Sequence, residues 1–231
     1  MKVAIHQPNF FPRIKVLQKI THSDLWVVLD DVQFMHREWQ NRTVIRHHED
    51  RDRQLRITVP VVRPTGRASR INEIQVSPCF SVDKTFRTFE QFYRKAPYWA
   101  LVESLLSNVL SSTGSLTEMN LASTFDVFDL LDIPVKSLLC SQLFITSAKS
   151  QRLVDICRVV GSDTYVSGSG GRSYISTRLF EESGVAIEWQ AWNDAVWRNV
   201  SYIDFLALYG PHALKERLLS WNCFDVREGL A

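Results

Sequence analysis

The chain has 231 residues, 45% hydrophobic and 23% charged, with a formal net charge of +2. A sizeable core can be buried at this length, and so weak a field gives no support to nucleic acid or a membrane surface as the main partner. No run approaches the ~18 apolar residues of a membrane span. The opening MKVAIHQPNF has too short an apolar run for a signal peptide. Four widely separated cysteines, Cys79, Cys140, Cys157 and Cys223, have neither metal nor redox spacing. They read as buried free thiols in a reducing compartment, so a cytoplasmic location is expected.

In chain order, Val3–Ile5 reads as a short strand running into the proline-punctuated turn HQPNFFP. RIKVLQKITHS carries apolar residues at Ile14, Leu17 and Ile20, the spacing of an amphipathic helix. DLWVVLDD is continuously apolar until its two acids and reads as a strand buried on both faces. Strand, helix and strand at this spacing make a βαβ unit with parallel strands. NRTVIR and QLRITVPVV alternate with a period of two, as a hairpin around the charged, solvated turn RHHEDRDRQLR. The tandem His47-His48 in that turn is expected to face solvent.

INEIQVS is expected to be another short strand. Val82–Leu110 is helical with a break at Pro97, and its stripe of Phe86, Phe89, Phe92 and Tyr93 belongs to the core. SLTEMNLASTFDVFDLLDI opens with a capping-box pattern and ends at Pro134. PVKSLLCS supplies a third buried strand. SQRLVDICRVVG is a helix with Ser150 as its cap and Gly161 as its stop. DTYVSGSGGRSYIS is a strand entering a glycine-rich loop, TRLFEESG a short helix capped by Gly184, and VAIEWQAW the final strand. VSYIDFLALYGPHALKERL is helical with a break at Gly210–Pro211. The pattern predicts an α/β fold with a Rossmann-like parallel core sheet and flanking helices. It reads as one domain over 1–231, with a helical C-terminal part over 196–231.

Three loops leave the carboxyl ends of these strands, and in open α/β sheets ligands bind there. The first holds His6, Gln7 and Asn9; an imidazole suits proton transfer near neutrality, or else holds the turn by hydrogen bonds. The second holds Asp30, Asp31 and Gln33. Two acids suit a cation or a pair of sugar hydroxyls, with one of them structural. The third holds Ser167, Gly168, Ser169, Gly170, Gly171 and Tyr174, where backbone N–H groups can approach an anion. It lacks the Gly-Lys-Ser/Thr of a phosphate-binding P-loop, and as a glycine loop alone it is a weak signal. In HREWQNR, Trp39, Gln40, Asn41 and Arg42 set an aromatic face beside amides and a guanidinium, suited to a carbohydrate or a phosphate, or else to a loop stapled by its tryptophan.

These stretches together, HQPNFFP, SDLWVVLDDVQFMHREWQNRTVIR, YRKAPYW and DTYVSGSGGRSYIS, resemble the WbqC-like family over nearly the whole chain. The resemblance implies a role in modifying an activated sugar or amine, in the setting of surface-polysaccharide or natural-product biosynthesis. The family pattern falls on His6, Gln7, Pro8, Asn9, Pro12, Asp30, Asp31, Gln33, Phe34, Trp39, Asn41, Arg42, Ser167, Gly168, Gly171 and Tyr174. The resemblance implies departures after the second proline, where relatives usually carry tryptophan and glycine and this chain has Arg13 and Lys15 nearby; at Thr85, where relatives often carry a histidine; and at RNVSYIDF, where relatives usually carry Pro-x-Leu-Ser.

The expected function is therefore an acyl- or aminoacyl-transferase acting on an amine of a sugar or specialised metabolite. Its partners are that small-molecule substrate and an activated donor. His6 would be the base, Asp30 or Asp31 would orient it or bind the ammonium, Asn41 and Arg42 would hold an anionic end, and the Ser167–Gly171 loop would bind a phosphate or an oxyanion. The alternatives are an ATP-dependent nucleotidyltransferase or ligase, and a non-catalytic carbohydrate- or metabolite-binding module. No metal or cofactor is assigned.

Overall fold

The computed structural model describes residues 1–112, 114–192, 197, 199–221 and 223–225, the last three as backbone only. The chain opens with β1 (Lys2–His6), α1 (Ile14–Thr21) and β2 (Leu25–Val28). A long excursion follows, with β3 (Arg42–Arg46), β4 (Gln54–Thr58), β5 (Val61–Val62), β6 (Gln75–Val76), α2 (Val82–Tyr93), α3 (Trp99–Ser111) and α4 (Leu116–Leu130). The chain then returns through β7 (Ser137–Leu139), α5 (Lys149–Val159), β8 (Thr164–Ser167), α6 (Thr177–Ser183), β9 (Ala186–Gln190), α7 (Tyr202–Leu219) and β10 (Cys223–Asp225).

The central sheet runs β10-β9-β8-β1-β2-β7. Five strands are parallel and β10 lies antiparallel on the β9 edge. The sheet is covered on both faces, as parallel sheets require. Trp26 and Val28 face the cluster built from α1, α2, α3, α4 and α7. Val3, Ile5, Val27, Tyr165 and Trp189 face the smaller cluster under α5 and α6. The fold is thus α/β with a five-stranded parallel core and a C-terminal helix. From β1 the chain builds outward through β2 to β7, then crosses back to β8 on the other side of β1. The carboxyl ends of β1 and β8 therefore flank the point where strand order reverses, the place where such sheets bind ligands.

Local signals explain most element ends. Ser81 and Ser115 cap α2 and α4 by accepting from the Lys84 and Glu118 amides. The α2 stripe is core: Phe89, Phe92 and Tyr93 are buried and Phe86 packs against them. Gly184 ends α6 in the left-handed region. Gly210, at φ 81°, breaks α7 before Pro211, and a Cβ there would lie 2.4 Å from the Tyr98 ring. Gly210→Ala combines backbone strain with overpacking and is expected to destabilise by about 1–3 kcal/mol, read as a lowered denaturant midpoint.

Several expectations are corrected. INEIQVS is a 3₁₀ turn over Ile71–Glu73 followed by the two-residue β6, because Ile71 and Ile74 both turn into the core. Ser150 does not cap α5: the helix begins at Lys149 with Ala148 at its N-cap, and Ser150 Oγ accepts from the Ser176 amide. VAIEWQAW is not the final strand, since β10 pairs beyond it. Cys140 and Cys157 are buried free thiols, but Cys79 is exposed. The charged turn is not simply solvated, because Arg51 reaches buried Asp204. His47 and His48 are half-buried, their rings 4.5 Å apart, and His48 Nδ1 lies 2.7 Å from the Phe92 carbonyl oxygen. Among the described residues no helix is long and apolar enough to cross a membrane.

Candidate functional site

His6 ends β1 on the face that α1 covers. Its Nδ1 lies 3.2 Å from the Lys19 ammonium nitrogen, which also donates to the Ile5 carbonyl at 3.3 Å. Its other ring nitrogen, Nε2, is buried without a hydrogen-bond partner, as is Asn9 Oδ1. Burial, then Lys19, Arg13 and Lys15, hold the imidazole well below its ordinary range, against a smaller opposing pull from the Asn9 side chain. The ring is therefore neutral at neutral pH. Lys19 is only 5% exposed, and burial followed by Arg13 and Lys15 pushes it down to about 7. A half-buried imidazole and a buried lysine at the reversal point thus sit in one hydrogen-bonded pair, with cations as their charged surroundings.

The partner of His6 is Lys19, where the sequence suggests an aspartate. Asp30, just past β2, is 1% exposed and accepts from Ser141 N at 2.9 Å, Ser141 Oγ at 2.7 Å and Asn72 Nδ2 at 3.5 Å. It ties the end of β2 to the segment after β7. Asp31 pairs with Arg152 of α5, and Arg152 also donates to the Cys140 thiol sulfur at 3.3 Å. Burial, then Asp31, push the Cys140 thiol up to about 11, so it is not a ready thiolate. Arg152 belongs to the α5 side of the sheet and His6 to the α1 side. Asp31 is thus drawn to the face of the sheet opposite His6.

The remaining residues divide between the loops packed beside His6 and scaffold. Gln7 Oε1 accepts from Gln40 Nε2 at 2.7 Å, which locks the first loop to the Trp39 loop. Asn120 Nδ2 donates to the Pro8 and Gln40 carbonyls and stitches the same two loops from α4. Trp39 stacks under the Arg13 guanidinium, 4.4 Å from the ring centroid. Asn41 Nδ2 donates to the Val59 carbonyl at 2.8 Å, and its Oδ1 is buried without a partner. Arg42 is pulled down by burial and by Arg56 and Arg37, an arginine cluster to which Glu38 adds the opposing charge. Gln33 is exposed and donates to the Arg67 carbonyl at 2.7 Å.

Ser167 ends β8 beside β1 and is 1% exposed. Gly168 leads into a 3₁₀ turn over Ser169–Ser173, with Ser169 and Gly170 exposed. Gly171 is buried, and a Cβ there would meet Ser167 Oγ at 2.5 Å and the Ile175 side chain at 2.7 Å. Its glycine is demanded by packing. Tyr174 is 70% exposed. Thr85 bonds the Ser81 carbonyl within α2.

Lys19 was not singled out from the sequence. Its signal was present: it lies among Val16, Leu17 and Ile20 on a helix pinned between the sheet and α7, and nearly all of that helix is buried.

The chain matches the WbqC-like protein family over residues 7–216. It belongs to that family. The match begins one residue after His6 and takes in the rest of the first loop, the aspartates, the arginine-rich excursion and the glycine loop. An uncharacterized protein of Mycobacterium tuberculosis, Rv1507c, is 25% identical over 211 residues, covering 90% of this chain and 87% of its own. No solved structure matches the chain. Arg13 and Lys15 are two of the three cations that act on His6, the third being Lys19.

Proposed function

We propose that this protein is a small-molecule transferase that joins an acyl or aminoacyl group to an amine of a sugar or specialised metabolite. The observation that carries this reading is His6: a neutral imidazole at the strand-order reversal, with Nε2 unpartnered and Nδ1 backed by Lys19. An attacking amine must first be uncharged. The cations around His6 disfavour a second positive charge, so an amine placed there loses its proton more readily than in water. The Asn9 side chain, which already favours a protonated His6 ring, is placed to accept one remaining N–H of that amine.

In the proposed step the amine nitrogen attacks the donor carbonyl. A C–N bond forms, the bond to the donor's leaving group breaks, and the amine proton passes to His6 Nε2. The resulting imidazolium, surrounded by cations, is a strong acid and returns the proton to the leaving group. Backbone N–H groups of the Ser167–Gly171 turn are the assigned donors to the oxyanion. Asn41 and Arg42 hold the donor's anionic end. Asp30 and Asp31 act by fixing Ser141 and Arg152, and so the rim of the crevice.

The test is amide formation from a pre-activated donor and an amino sugar without ATP, followed by mass spectrometry. An ATP-independent amide product supports the transferase. A product formed only with ATP, or ligand binding without any product, would replace it by the ligase or the binding module.

A further inference from the structure

We infer that a second site, beside the second loop, binds the phosphate of a nucleotide-type ligand. It is a depression of about 450 Å³ lined by Gln33, Phe34, Met35, His36, Arg63 and Arg67. That volume is within the ~300–1,000 Å³ range of small-molecule sites. Its charged lining is of one sign. Arg63 and Arg67 are exposed, and neither enters an ion pair among the described residues.

The charge is concentrated by the sequence itself. Residues 37–70 hold nine arginines, no lysine and four acids. Two of those arginines, Arg46 and Arg51, are consumed by Asp204. The excess is therefore carried by arginines that face outward. Arginine presents a planar fork that matches phosphate oxygens two at a time, which a lysine cannot do.

Beside this fork the depression offers an apolar patch. Met35 is 48% exposed and offers a flexible, polarizable apolar surface. Phe34 below it is buried, and its amide donates to the Ser69 carbonyl at 2.8 Å, which fixes the wall. The Gln33 amide, held by the Arg67 carbonyl, completes a polar edge. Two guanidinium groups, an amide and an apolar floor fit a phosphate joined to a flat heterocycle. A bare inorganic anion would leave the floor unused.

The site rests on the transferase reading for its role alone, that of docking a phosphate-bearing donor near the ends of the sheet strands. Binding itself requires no turnover. Calorimetry on the whole protein would use pyrophosphate, ATP and UDP-N-acetylglucosamine. Both nucleotides are expected to bind more tightly than pyrophosphate, and binding should weaken as salt rises. The double variant Arg63→Gln, Arg67→Gln should weaken nucleotide binding at least tenfold. Arg178→Gln, on exposed α6, should leave it unchanged. Nucleotide binding that survives the double variant overturns the site, as does absence of binding at millimolar ligand. Equal affinity for pyrophosphate and nucleotides overturns the nucleotide class. A positive result here with no amide product in the transfer assay would leave this site standing and remove the transferase.

Discussion

Replacing Asp204 by alanine is expected to destabilise the protein by about 3–5 kcal/mol, the cost of leaving buried cations without their anion. Asp204 lies in the first turn of α7 and is fully buried. Arg46 Nε and Nη2 donate to one of its oxygens at 3.2 and 3.0 Å, and Arg51 grips both oxygens. Tyr93 of α2 donates to Oδ1 at 3.1 Å. Trp197 closes the cluster, with the Arg46 and Arg51 guanidinium carbons 4.7 and 5.5 Å from its ring centroid. Every carboxylate lone pair that faces the protein thus meets a donor, the condition under which a buried ion pair holds a fold together. Tyr93 stays protonated, because burial and then Asp204 raise its phenol well above the ordinary range. Tyr93→Phe, which removes one neutral donor, should cost only about 0.5–1.5 kcal/mol. Urea unfolding of the three proteins checks both values through the midpoint, with the slope unchanged. A loss below about 1 kcal/mol for Asp204→Ala would mean that the arginines find water when the anion goes. The cluster also matters to the site, since it anchors the β3–β4 hairpin to α7 and thereby the Trp39–Arg42 loop that packs on the His6 loop.

What could be read from the sequence was what short-range patterns encode. The βαβ opening follows from a period of three to four in RIKVLQKITHS between two apolar runs. The position of His6 follows from that opening alone, because a residue ending the first strand of a parallel sheet must lie at its carboxyl edge. Gly184 and the Gly210 break were equally local. Pairings across distance carried no such signal. Asp31 meets Arg152, 121 residues later, and Arg51 meets Asp204, 153 residues later. Nothing near either acid distinguishes a partner in α5 or in the hairpin turn from solvent. The adjacent aspartates therefore looked like a catalytic pair, although hydrogen bonds draw Asp30 toward Ser141 and Asp31 toward Arg152. Lys19 was missed for the converse reason: a lysine is ordinarily a surface residue, and only the packing of α1 beneath α7 buries it.

His6→Gln is expected to lower turnover in the transfer assay by about 10²–10⁴-fold, the usual contribution of a general base, while the fold melts cooperatively. Glutamine keeps a polar group near Lys19 but cannot take a proton. The pH dependence follows from the pair. While Lys19 is an ammonium it donates to Nδ1, so the ring proton sits on Nε2 and the base is blocked. When Lys19 is neutral it accepts from Nδ1–H, and the Nε2 lone pair is free. Lys19 is held at about 7, so turnover should climb as pH rises through 7 and then level off. The Lys19→Met variant should lose that limb. Stability gives a second readout with a fixed sign. The folded lysine is at about 7 against an ordinary 10.5, so between those values the unfolded chain holds a proton that the folded one lacks. Stability must therefore rise with pH across that window and fall on the way down to 7. Lys19→Met should flatten this rise and melt higher than the parent at pH 7, because a buried cation has been exchanged for an apolar chain. Nitrogen-15 shifts of the His6 ring report directly which nitrogen is protonated. A ring whose tautomer stays fixed from pH 6 to 9, or full activity in His6→Gln, would remove the Lys19–His6 pair from the chemistry.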